Sequence, residues 1–134
     1  MRTILFAAVA ATTLLVSPVP LAAHHSFSAE FDANKRFTLT GVVTKVEWQN
    51  PHTLFYLDIT DEKSKKVTNW SFEMGSPNGL MRSGWTRNTL KIGDVVTVEG
   101  SRARDGSPYG NATSVVLAST GKRLFANSSQ GDTP

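Results

Sequence analysis

The chain has 134 residues, no cysteine, and a formal net charge of +3 from 14 Lys+Arg against 11 Asp+Glu. Without cysteine there are no disulfides, no thiolate metal sites, no c-type haem attachment and no lipidated cysteine after a leader, so a metal must take histidine, carboxylate or amine ligands. So small a charge surplus, with acidic and basic residues interspersed, argues against nucleic acid as a partner.

Met1-Arg2 opens an uncharged apolar run over residues 3–16, followed by Ser17-Pro18-Val19-Pro20 and then Leu21-Ala22-Ala23. This is the layout of a secretory signal peptide over residues 1–23. The run is shorter than the roughly 20 residues that span a bilayer. The mature protein is therefore expected to be periplasmic or secreted. Cleavage after Ala23 makes His24 the new amino terminus, and cleavage after Ala22 places His25 third. Residues 24–36 are expected to form an N-terminal segment, residues 37–125 the folded domain and residues 126–134 a disordered tail.

Strand patterns follow. Over residues 37–48, Phe37 and Leu39 share one face, and a phase change at Gly41 then groups Val42, Thr44, Val46 and Trp48. A glycine at such a change predicts a bulge or bend. Phe55, Leu57 and Ile59 alternate with Tyr56 and Asp58, and Trp70, Phe72 and Met74 alternate with Asn69, Ser71 and Glu73. The period of two predicts half-buried strands joined by a solvated turn through Lys63-Ser64-Lys65-Lys66. Ser76-Pro77-Asn78 predicts a helix start with Ser76 as cap, and Gly79 and Gly84 keep the helix short. Leu80, Met81 and Trp85 are expected to face the core. Lys91-Ile92-Gly93-Asp94 predicts a turn before the strand of residues 95–99. Residues 104–111 predict a loop, residues 112–117 a further strand and residues 122–125 a short edge strand.

Three strands, one short helix and two strands predict an all-β domain, a small five-stranded Greek-key barrel of the OB type, with a β-sandwich as the alternative. Phe55, Leu57, Trp70 and Phe72 are expected in its core.

Several strings carry a resemblance: Ala23-His24-His25-Ser26-Phe27, Glu30-Phe31-Asp32, Trp48-Gln49-Asn50-Pro51-His52, Trp70-Ser71-Phe72-Glu73, Ser76-Pro77-Asn78 and Gly93-Asp94-Val95-Val96-Thr97-Val98. From about residue 23 to residue 125 the chain resembles a family of small exported bacterial proteins that carry a domain of unknown function. The resemblance implies one exported β-domain and brings no activity with it.

The three histidines are His24, His25 and His52. A mature His24 offers an α-amine and an imidazole from one residue, and His25 or His52 supplies a third nitrogen. Nitrogen ligands in a planar set suit Cu(II). Zinc is less favoured, because the fourth ligand is unspecified. A solvated tail and a turn histidine are the plain alternative. Trp48 and Tyr56 are candidate ligand-binding aromatics on the strand face that OB-type barrels use, and Glu73 is a candidate proton-transfer or anchoring carboxylate near His52. No Gly-x-Ser-x-Gly, P-loop or His-Glu-x-x-His pattern is present. The residues thus favour an exported binding module, with copper as the ligand, over two rivals. One is a module for a small ligand or protein partner without metal, and the other an enzyme centred on His52 and Glu73.

Overall fold

The computed structural model describes residues 27–126. The expected signal peptide, His24, His25 and residues 127–134 lie outside the described residues. A single helical turn, α1 (Phe27–Glu30), leads directly into β1 (Phe31–Glu47). Then come β2 (Leu54–Thr60), β3 (Val67–Glu73), α2 (Pro77–Arg82), β4 (Val95–Ala103), β5 (Tyr109–Leu117) and β6 (Arg123–Phe125). Five strands close a hydrogen-bonded ring, β1-β2-β3-β5-β4, antiparallel except where β3 and β5 run parallel. β5 gives one edge to β4 and shares the other between β3, at Tyr109 to Asn111, and β6, at Ser114 to Val116.

This is the all-β fold expected, with strands wrapped round one core, and a β-sandwich description of the same two-sided packing also fits. Its centre holds Phe55, Leu57, Phe72, Met74, Val96 and Val98, each sealed from solvent. Trp70 is only half-buried and leans on this core from its edge. Its ring stacks at 6.0 Å on Phe72, with the Arg102 guanidinium carbon 5.0 Å from its centroid. Leu80 and Trp85 do face the core, whereas Met81 points to solvent at 52 % exposure.

Three local expectations shift. β1 begins at Phe31 rather than Phe37, because the backbone pairing with β4 reaches Ala103. The phase change comes later than Gly41: Phe37, Leu39, Gly41 and Val43 all face inward, and the register slips between Val43 and Lys45. Gly41 serves close approach instead, since a Cβ there would lie 2.7 Å from the Asp58 carbonyl oxygen. Ala126, expected in the tail, is fully buried and its backbone bonds Gly75 and Thr113.

The punctuation follows side-chain chemistry. Ser76 accepts from the Gly79 amide at 3.2 Å and caps α2, and Pro77 fills its first turn without wasting a donor. The charged turn is organised by Asp61, whose carboxylate accepts from the Lys63 amide and from the Ser64 amide and hydroxyl. Those bonds, the Ser64 amide foremost, hold the Asp61 carboxyl below the usual aspartate range.

Candidate functional site

Pairing between β2, β3 and β5 builds rows across the outer surface of the ring. Tyr56 stands opposite Ser71 and Ser71 opposite Tyr109; one step on, Leu54, Glu73 and Asn111 align. The loop of residues 48–53, containing a cis Asn50–Pro51 peptide, brings His52 to the end of the second row. Thr53 and Met74 fasten that loop to β3, the Met74 amide donating to the Thr53 carbonyl at 2.8 Å.

The result is a chain of polar contacts centred on Glu73. Tyr109 donates its hydroxyl to Glu73 Oε2 at 2.7 Å. His52 Nδ1 lies 3.6 Å from Glu73 Oε1 and 3.2 Å from the Met74 carbonyl oxygen. A carbonyl can only accept, so Nδ1 carries the proton in this bond and a neutral ring presents its lone pair at Nε2. Burial, and after it the bond to Glu73, pushes the Tyr109 phenol far above the usual tyrosine range, which keeps it a donor.

Tyr109 also receives the N-terminal segment. Phe31 is almost fully buried, with its ring centroid 5.2 Å from that of Tyr109, and the Phe27 ring lies 5.5 Å from Phe31. Arg104 adds a second clamp: its Nε donates to the Ser28 carbonyl at 2.7 Å and its amide to the Glu30 carbonyl at 2.9 Å. Residues 27–31 are thus pinned over β5, and the contacts run continuously from Phe27 through Phe31, Tyr109 and Glu73 to His52.

Of the residues singled out from sequence, His52 and Glu73 meet. His24 and His25 lie outside the described residues. Trp48 is half-buried against the core. Tyr56 belongs to a neighbouring group: its hydroxyl donates to Glu47 at 3.0 Å, Lys45 pairs with the same carboxylate, and the Lys45 ammonium lies 5.1 Å from the Tyr56 ring centroid. Lys45 first, then Tyr56, holds the Glu47 carboxyl below the usual range. Tyr56 and Glu73 are therefore engaged with protein groups rather than empty-handed. Among the described residues, no three histidine, aspartate or glutamate side chains converge as a metal site. Tyr109 was hidden in a stretch that reads as loop; the one sequence signal for it is the small-residue alternation Gly110-Asn111-Ala112 that follows.

Residues 11–112 match the family of unknown function DUF6152, and the chain belongs to that family. No curated protein matches the chain.

Proposed function

We propose that the protein acts outside the cytoplasm, periplasmic or secreted, as a small binding module whose ligand is Cu(II). The amine and ring of a mature His24, with His25 or His52, form a nitrogen-rich tetragonal site. The observation that carries this reading is the run of contacts from Phe27 to His52. It ties Phe27, three residues after His24, through Phe31, Tyr109 and Glu73 to the His52 ring. The His52 ring is also prepared as a ligand should be. Its Nδ1–H is committed to the Met74 carbonyl with Glu73 alongside, the arrangement that fixes the tautomer and orientation of metal-binding imidazoles. Tyr109 holds Glu73 in place from its other oxygen.

The test begins with the intact mass of exported protein, which fixes the terminus; a chain starting at His24 is expected. Cu(II) titration with electron paramagnetic resonance should then show one nitrogen-rich site. His24→Ala should weaken it strongly, as should a methionine left ahead of His24. A large loss in His52→Ala identifies a folded site, and little change confines it to the terminus. Uptake no better than that of a His24→Ala/His25→Ala double variant refutes copper binding.

A further inference from the structure

β1 and β2 part company beside Gly41. Their last pair on this side is Val42 opposite Asp58, so the ladder would continue as Thr40 opposite Thr60, but that pair does not form. At the point of parting the strands touch, with room for no Cβ on Gly41 between the Asp58 carbonyl and the Ile59 side chain. Beyond it they splay into a cleft of about 650 Å³ between β1 and the β2–β3 hairpin, within the ~300–1,000 Å³ typical of binding sites.

Backbone directions in the cleft follow from alternation. The Val43 amide donates to Asp94 and its carbonyl accepts from Gly93, so the odd-numbered groups from Phe37 to Val43 turn toward β4. Those of Thr38 and Thr40 therefore turn the other way, into the cleft. On the facing wall Asp58 pairs toward β1, so Thr60 also directs its amide and carbonyl inward. Thr38, Thr40 and Thr60 are exposed, while Leu39, Ile59 and Trp70 form a half-buried apolar floor. Trp70 is held rigidly there by Phe37, Phe72 and Arg102. The rim charges Asp61, Glu62, Lys63 and Lys66 cancel, so neither charge sign is selected.

A row of free backbone donors and acceptors above an apolar floor matches one chemistry, an extended polypeptide. We propose that this cleft binds an extended, uncharged segment of another protein. The segment pairs in β fashion with the open edge of β1 at Thr38 and Thr40, and sets an apolar side chain on Leu39, Ile59 and Trp70. The cleft lies at the far end of β2 from His52; seven residues at ~3.3 Å each place the two sites roughly 20 Å apart, so this proposal stands or falls separately from copper.

The probe is an acetylated, amidated hexapeptide of alternating valine and threonine, followed by amide NMR and hydrogen exchange on the whole mature protein. The Thr38 and Thr40 amides should gain roughly 10-fold protection or more, with those of Leu39 and Gly41, already bonded to β4, unchanged. Peptides N-methylated on alternate residues should divide by phase: one set loses binding at least about 10-fold, as lost hydrogen bonds require, and the other retains it. Added salt should leave affinity unchanged, as should His52→Ala. Several results would overturn the proposal: no saturable binding at millimolar peptide, equal loss in both methylation phases, or protection at Thr60 alone. Movement of the Trp70 indole signal without protection of Thr38 and Thr40 would overturn it too, and would assign the cleft to a small apolar molecule.

Discussion

Two glycines grip Phe37, and they should respond differently to the same methyl group. At Gly100 a Cβ would sit 2.0 Å from the Asn111 carbonyl oxygen and 2.7 Å from Phe37 Cζ. The first contact is backbone of the neighbouring strand, so no rotamer change relieves it; β4 and β5 must move apart at the register slip they already carry. At Gly110 the close contacts are Phe37 Cε1 at 2.5 Å and Cζ at 2.9 Å, with the Ser101 carbonyl at 3.2 Å. That obstruction is chiefly the far end of one ring. Overpacking typically costs about 1–3 kcal/mol and sometimes more, and loss of unfolded-state freedom on Gly→Ala returns about 0.4–1 kcal/mol. Gly100→Ala should therefore lose at least about 3 kcal/mol and Gly110→Ala about 1–2 kcal/mol. Phe37→Leu removes the offending ring atoms. Combined with Gly110→Ala it should cost about 1 kcal/mol less than the sum of the single changes, while combined with Gly100→Ala it should be close to additive. Urea unfolding with an unchanged m value measures all five variants. Equal rescue of both glycines by Phe37→Leu, or Gly100→Ala within about 1 kcal/mol of the parent, would refute the reasoning.

Phe72→Ala should cost about 3–5 kcal/mol as a fully buried aromatic, and Trp70→Ala less, about 2–3 kcal/mol, because part of its surface is already exposed; the reverse order in urea denaturation would contradict the packing described. The carboxyls of Glu47, Asp61, Glu99 and Asp105 are each held below their ordinary range, by Lys45, Ser64, Arg123 and Ser107 respectively as the leading cause. Their contribution to stability is thus complete above about pH 4.5, the upper end of the unfolded values, and is lost as pH falls through the lower folded values. Carboxyl-carbon NMR should find all four titrating below their ordinary values, with Glu99 returning toward its own in Arg123→Ala; no response there would remove Arg123 as the cause.

The strands were legible because burial on a pleated surface has a period of two, and Phe55-Leu57 and Phe72-Met74 state that period plainly. The helix at Pro77 was legible because capping is local chemistry: Ser76 reaches an amide only three residues away. Where a residue's fate depends on distant backbone, its own segment carries no sign of it. Gly41 reads as a bulge, but its meaning is the carbonyl of Asp58 on the next strand, while the slip itself falls at Val43–Lys45, where nothing in composition marks it. Met81 is as apolar as Leu80, and only the direction of a six-residue helix leaves one outside and the other inside. The candidate site divides in the same way. His52 and Glu73 stand out by residue type, and their meeting was foreseeable from adjacent strands. Tyr109 is 36 positions from Glu73 and joins it through a parallel pairing between β3 and β5, a contact that exists only because the ring closes. Local patterning thus determined most of the strand segments and which residue types are candidates for chemistry. Ring closure decided which of them touch, because a long-range pairing is set by the whole sheet and leaves no signature in either segment alone.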